Sequence, residues 1–378
     1  MLGISPLSPS LVEGFALTRL QVALIVPSIY LGGLLFSMPA GRLADRLGVR
    51  PTLLGGLAVG AAGLLAGALA PGFPAFLAFL FVAGTGWSVV NPALGKAIMD
   101  LFPAGERGMA MGIKQMGLTL GGVVSALVLP PVAVALGWRA AIVTCGLVVA
   151  LPVVLSWRLL GTLDAAAVAA PPAPGTAARS RPAWTRRPPV VVFFASGLVF
   201  GMVQAAVLSY LPLYTIQALG FDTIGAGLLV ASSQAGGAVS RLVLGAASDR
   251  WLAAQRSAWL AATGAVGAGV FLLYACWSVS TPLAAGALAF AAGIGAYGWV
   301  GIFFVISAEI GGPREAGLLS GVAFASIVAG LLIGPSVFGL LLEGFDSYTV
   351  PWVAFASLSA MVTATMLGAG PAIDRQRQ

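Results

Sequence analysis

Eleven stretches of this chain run for roughly twenty residues with almost no charge, which is the length a helix needs to cross a bilayer. They lie at residues 20–41, 52–70, 75–95, 108–135, 138–157, 189–215, 223–244, 257–278, 282–308, 316–342 and 347–373. Arg139 sits at the edge of one, and only Lys114 and Arg241 are charged well inside them. A membrane β-barrel shows short alternating segments instead, and these runs do not alternate. Composition agrees: 59% of the 378 residues are hydrophobic and 8% are charged, with a mean hydropathy of +1.00. About a quarter of a soluble domain is charged. Lipid therefore covers most of the outside, and the fold class is an all-α membrane protein.

The basic residues set the orientation. Arg42, Arg46, Arg50, Lys96, Arg107, Arg158, Arg179, Arg181, Arg186, Arg187, Arg250, Arg256, Arg314, Arg375 and Arg377 fall in alternate loops on one side, against Arg19 and Arg139 on the other. An excess of Lys and Arg marks cytoplasmic loops. The same scatter through short loops explains the net charge of +7 and removes nucleic acid as a partner. Cys145 and Cys276 lie in apolar runs and read as buried, free thiols. There is no histidine, so the side chain that most often ligates metals and titrates near neutral pH is missing. No cluster of nucleophile, base or metal ligands occurs, and neither an enzyme, a metal site nor a cofactor is expected.

Residues 161–188 are Ala-Pro-rich and then basic, with Pro171-Pro-Ala-Pro174 and Arg186-Arg-Pro-Pro189. That composition reads as a linker. It divides the chain into a bundle at 1–160 and a bundle at 189–378. The two halves repeat. Gly41-Arg-Leu-Ala-Asp45-Arg46 recurs as Gly245-Ala-Ala-Ser-Asp249-Arg250, an offset of 204. Asp100 and Glu106-x-Gly108-x-x-x-Gly112 recur as Glu309 and Glu315-x-Gly317-x-x-x-Gly321, and Gly84-x-Gly86 as Gly293-x-Gly295, both at 209. Pro6-Leu7 with Gly14-Phe15 matches Pro212-Leu213 with Gly220-Phe221 at 206. Four matches in order make a repeat, and parallel repeats are a known transporter architecture.

The stretch Gly41-Arg-Leu-Ala-Asp45-Arg46-x-Gly48-x-Arg50 resembles the loop motif between helices 2 and 3 of the major facilitator superfamily. Gly245, Asp249 and Arg250 sit where that family places its counterpart, between helices 8 and 9. The resemblance implies two six-helix bundles related by a pseudo-two-fold axis, with substrate near the midplane between them. It also implies that these residues latch the cytoplasmic side. The chemistry is consistent with that role. Gly41 and Gly245 allow close helix approach, and Asp45 and Asp249 suit the partial positive charge of a helix N-terminus. Arg46, Arg50 and Arg250 are expected to pair with Asp100, Glu106, Glu309 or Glu315. Two departures lower a drug-export reading. Leu80 stands where proton-coupled exporters of the family carry an Arg, and Gly117-Leu-Thr-Leu-Gly121-Gly122 lacks the proline of their antiporter motif.

A charge inside a span costs about 2.5–3.5 kcal/mol on insertion scales and marks function by default. Lys114 lies seven residues past Arg107 and Arg241 eight before Asp249, so ~10 and ~12 Å along their helices. Both could instead snorkel to the interface. The repeat argues against that for Lys114, whose counterpart at offset 209 is Ala323. The context Ser240-Arg241-Leu-Val-Leu-Gly245 resembles the eighth helix of organic-anion members. Asn91, Gln115, Gln204, Tyr210, Tyr214, Gln234 and Tyr297 are candidates to line the same pathway, or to serve as interhelical hydrogen bonds. No acid lies deep in any span, so the positive interior calls for an anionic ligand.

The expected function is a monomeric secondary transporter of a small organic or inorganic anion by alternating access. It would work by uniport, exchange or symport with a coupling ion, with a proton-coupled exporter of hydrophobic compounds as the alternative. The abundance of Arg, Ala and Gly points to a bacterial source and hence the inner membrane. The repeat also bears on the N-terminus. The second half's first span starts near Pro189, which at an offset of 206 places about seventeen residues of a first helix before Met1. The expectation is eleven full spans plus a remnant of helix 1. The charge asymmetry predicts a cytoplasmic C-terminus. A phosphatase fused after Gln378 should be inactive and a fluorescent protein fused there should glow; the reverse pair of results would overturn the topology.

Overall fold

The structure, a computed structural model, describes residues 7–159, 187–251, 255–277, 279 and 281–376. The linker, apart from Arg187 and Pro188, and Arg377 fall outside these. The described elements are helices throughout: α1 (Ser8–Phe15), α2 (Arg19–Leu47), α3 (Val49–Ala68), α4 (Phe73–Ser88), α5 (Val90–Leu101), α6 (Arg107–Leu136) and α7 (Trp138–Leu159). The second half has α8 (Pro188–Gln217), α9 (Thr223–Arg250), α10 (Arg256–Cys276), α11 (Pro282–Tyr297), α12 (Val300–Phe345) and α13 (Thr349–Arg375).

Local chemistry sets the boundaries. Thr18 and Gln21 form a reciprocal capping box at the start of α2, satisfying two N–H groups the helix leaves open. Gly48, at φ +88°, turns the chain directly from α2 into α3, a conformation that costs glycine little. α4 and α5 are one span interrupted at Val89, because Pro92 has no N–H to offer the preceding turn. α12 is broken at Gly312, where φ is +57°, with Pro313 next in sequence.

Nine stretches among the described residues are long and apolar enough to cross a bilayer. One of them, Pro282–Phe345, is 64 residues long and is divided by the break at Gly312; the 30-residue α6 supplies one more. The eleven expected crossings are thus present. Large apolar side chains such as Val134, Leu127, Leu283 and Leu340 are exposed, as lipid contact requires. Cys145 is half-buried, but Cys276 is exposed, contrary to the buried reading. It is the last residue of α10, and Trp277 already has extended backbone.

The chain forms two compact units. Unit 1 comprises Met1–Asp100, Leu120–Arg186 and Pro313–Ala325, and unit 2 comprises Leu101–Thr119, Arg187–Gly312 and Ser326–Gln378. The units follow the two halves except for one short helical segment each, and the exchanged segments are repeat-equivalent. In unit 1, Leu7, Leu11 and Phe15 pack against Phe73, Phe76 and Trp138, with Phe15 only 4.6 Å from the Trp138 ring. Arg139 holds the turn between α3 and α4 by donating to the carbonyls of Ala68 and Ala70. In unit 2, the core gathers Tyr214, Phe271, Tyr274, Phe338 and Trp352, and the Tyr214 hydroxyl donates to the Tyr274 carbonyl at 2.9 Å.

Close helix packing rests on the duplicated glycines. A Cβ at Gly84 would overlap the Ile29 carbonyl, and one at Gly293 would overlap the Ser233 carbonyl. These are the same contact in the two units, at offsets of 204 and 209. Gly293→Ala is therefore expected to destabilise the protein by about 3 kcal/mol, the upper end of overpacking costs. Gly269→Ala, whose Cβ meets nothing within 4 Å, should be neutral. Thermal unfolding of the two purified variants checks this, and equal midpoints would refute it.

Candidate functional site

Two aspartates at helix ends make matching junctions. In unit 1, Asp45, in the last turn of α2, accepts hydrogen bonds from the backbone N–H of Gly317 at 2.8 Å and of Leu318 at 2.7 Å. These lie near the start of the helix that follows Gly312. In unit 2, Asp249, in the last turn of α9, accepts from Gly108 at 2.9 Å and Met109 at 2.8 Å, in the first turn of α6. The partial positive charge of each helix start favours the carboxylate, and ionised acceptors make the stronger hydrogen bonds. Gly41 faces the Gly317 carbonyl and Gly245 the Gly108 carbonyl at distances that leave no room for a side chain.

The arginines around these junctions differ in exposure. Arg46 and Arg250 are exposed and Arg50 is half-buried. The arginine that completes the unit 2 junction is Arg256, which is 1% exposed. It donates to Asp249 at 2.8 Å, to Ser248 Oγ at 3.0 Å and to the Ala104 carbonyl at 2.8 Å. Its Nε lies 3.6 Å from Glu309, which Arg107 also approaches at 3.9 Å. Glu309 is thus shared by Arg107 and Arg256, and Asp100 pairs with Lys96 on its own helix; Glu106 is exposed and Glu315 half-buried. Arg256 was missed because it reads as one more loop cation at the start of a span. The available signal was its place seven residues after Asp249. At that place in the first repeat stands Thr52, whose buried hydroxyl has no hydrogen-bond partner among the described residues.

The two intramembrane cations lie in unit 2. Arg241 on α9 does not snorkel: it is 6% exposed. Its Nε donates to the Tyr297 carbonyl at 3.0 Å and its Nη1 to the Gln115 carbonyl at 3.3 Å. Tyr297 is the last residue of α11, so Arg241 occupies a carbonyl that the helix break leaves open. Lys114, one residue before Gln115 on α6, is half-buried, with its ammonium 4.8 Å from the Phe304 ring centroid and 3.8 Å from Met111 Sδ. A cation over an aromatic face at that distance is attracted by the ring quadrupole.

The polar candidates divide. Gln115 is buried, and its backbone carbonyl ties α6 to Arg241. Gln204 on α8 has a buried Oε1 without a hydrogen-bond partner among the described residues. Gln234 is half-buried on α9, and Asn91 is half-buried at the start of α5 in unit 1. Tyr210 stacks on Phe338 at 4.5 Å. Tyr214 and Tyr297 belong to the packed core, the latter hydrogen-bonded to Ser233. A buried acid was also missed: Asp374, in the last turn of α13, bonds the hydroxyl and N–H of Ser257. Like Glu309, it lies towards a helix end. Among the described residues, no group of three His, Cys, Asp or Glu is placed to hold a metal.

Comparison with known proteins agrees with this architecture. The Major Facilitator Superfamily as a family matches residues 1–335. An uncharacterised transporter of this type from Mycobacterium tuberculosis is 31% identical over 290 residues, or 72% of this chain. The match spans 63% of that protein's length, less than two thirds of it. A probable sulfoacetate transporter of Cupriavidus necator is 26% identical over 97% of this chain and 87% of its own. Among solved structures, a bacterial homologue of the iron transporter ferroportin superposes with a TM-score of 0.75 at 17% identity, covering 97% of this chain and 95% of that one. The Escherichia coli fucose:proton symporter does so with 0.74 at 17% identity, covering the same shares. Those identities speak to fold alone. The duplicated Asp45 and Asp249 motifs, the eleven spans and the match over most of its length agree: the chain belongs to the Major Facilitator Superfamily, a family of membrane transporters and not of enzymes.

Proposed function

We propose that this protein is a secondary transporter of a small organic anion, working by alternating access in the bacterial cytoplasmic membrane. The observation that carries the reading is the pair of intramembrane cations, Lys114 and Arg241, joined through the Gln115 backbone in one unit. A cation held in a medium of low dielectric strongly favours an anionic partner. Relatives described as transporting hexuronate in Bacillus subtilis, L-galactonate in Escherichia coli and sulfoacetate in Cupriavidus necator support the same class. The departure at Leu80 weighs against drug export.

Uptake by proteoliposomes of a panel of radiolabelled carboxylates and sulfonates tests the reading. Hydrogen bonds to charged groups contribute about 1.5–3 kcal/mol, so Arg241→Gln and Lys114→Gln should each reduce uptake roughly 10- to 100-fold without loss of folded protein. Arg241→Lys should also impair transport, because an ammonium cannot reproduce the planar fork of a guanidinium. Normal uptake by both Gln variants would leave the two cations as structural and remove the basis for an anion.

In the same reading, the Asp45 and Asp249 junctions are the latches of the cytoplasmic side. Asp45→Asn removes the charge that makes its two backbone hydrogen bonds strong. It is expected to change the exchange rate on the order of tenfold while substrate affinity stays within about twofold, since losing about 1.4 kcal/mol is a factor of ten. Unchanged exchange kinetics, with unchanged labelling of cysteines placed near Asp45, would remove the latch.

A further inference from the structure

Each aspartate junction has a cation at the helix start it grips, and the two units supply that cation from different helices. Residues 104 and 313 are equivalent at the offset of 209 that relates Gly108 to Gly317. In unit 2 the Ala104 carbonyl accepts from Arg256, the first residue of α10. In unit 1 the Pro313 carbonyl accepts from the Lys96 ammonium at 3.2 Å, and Lys96 lies on α5. The residue that matches Lys96 at the same offset is Val305, which is buried and uncharged. Packing places the lysine. Gly95 leaves no room for a side chain beside Ser320, which brings α5 onto the first turns of the helix after Gly312. There the ammonium attracts the Asp45 charge, which Glu315 repels.

The carboxylates that hold the two cations also differ. Arg256 bonds Asp249 and approaches Glu309, and all three side chains are buried. Pulling the guanidinium away leaves buried charges without a partner, which is strongly unfavourable. Lys96 pairs with Asp100 one turn along its own helix, at 3.2 Å, and Asp100 is exposed. A lysine that leaves the Pro313 carbonyl therefore keeps its counter-charge. Its flexible stem lets the ammonium draw closer to Asp100 without any movement of the helix.

We infer that Lys96 is the releasing catch of the unit 1 junction. It holds the Pro313 carbonyl while Asp45 grips the helix start, and it falls back onto Asp100 as that grip opens. Arg256, fixed by two buried carboxylates, keeps the unit 2 junction closed for longer, so the unit 1 junction opens first. The inference rests on the latch reading above and assigns the release to one of its two copies. Lys96 is a positioning residue that acts on the helix start Asp45 grips.

Hydrogen–deuterium exchange of the purified full chain tests this, because the Gly317 and Leu318 amides are held by Asp45 and the Gly108 and Met109 amides by Asp249. Lys96→Gln should speed exchange at Gly317 and Leu318 about tenfold, the effect of losing a hydrogen bond from a charged group, with Gly108 and Met109 unchanged. Lys96→Arg, which keeps a charged donor, should stay close to the parent chain. Asp100→Asn should act in the opposite direction and slow exchange at Gly317 and Leu318 by about twofold to fivefold, the scale of an exposed ion pair. The double variant should match Lys96→Gln, because Asp100 acts only through the lysine. If Asp45→Asn speeds exchange and Lys96→Gln does not, or if Asp100→Asn speeds it, the catch is overturned and the latch stands. Equal acceleration at both junctions in Lys96→Gln would show general loosening and overturn the catch as well. If Asp45→Asn itself leaves Gly317 and Leu318 unchanged, the latch reading falls and the catch with it.

Discussion

Lipid tails are as apolar as leucine, so in a bilayer no hydrophobic force pulls one helix onto another. What holds this protein together is backbone meeting backbone at glycine. Gly84 lies on the Ile29 carbonyl, Gly86 on the Gly56–Gly60 turn and Gly330 on the Leu198 carbonyl, each with no space for a side chain. At that separation dispersion acts between main chains over whole helix turns. The aspartate junctions depend on the same condition. Asp45 reaches two N–H groups only because Gly41 and Gly317 let their helices touch.

Because glycine sets the frame, the frame duplicates without the chemistry duplicating. Arg241 shows what the second unit adds. A buried guanidinium carries five donors and no acceptor, and leaving them unmet in a medium of low dielectric is costly. The break between α11 and α12 exposes the carbonyl of Tyr297, and the α6 backbone presents that of Gln115. An irregular backbone and a buried cation thus satisfy each other. Ser37, at the equivalent place, needs no such arrangement and bonds within its own helix.

Much of this was legible in the chain itself. The spans follow from the length of uncharged runs, and the repeat follows from glycine and aspartate at fixed offsets. Asp45 and Asp249 were recognisable because their motif is short, charged and duplicated. Arg256 was not, since a cation at the start of an apolar run looks the same whether it meets water or closes on a buried carboxylate. Only its separation from Asp249 hinted at the difference. Periodicity and charge also gave no access to the partners of Arg241, which are carbonyls, and every residue has one. Cys276 was misread for a related reason: an apolar run says a residue leaves water but not which of lipid or protein it meets.

The unequal surroundings of the two aspartates have a consequence for ionic conditions. At physiological ionic strength the Debye length is ≈ 8 Å, and salt weakens exposed charge pairs far more than buried ones. Around Asp249 the arginine and both carboxylates are nearly sealed, at 1%, 4% and 6% side-chain exposure for Arg256, Asp249 and Glu309. On the Asp45 side the ion pair of Lys96 with Asp100 has side chains 13% and 39% exposed, and the same lysine reaches the Pro313 carbonyl at the helix start that Asp45 grips. Dissolved ions therefore screen the electrostatics of one junction more than those of the other. Two structures that look like copies respond differently to the salt content of the medium that bathes them.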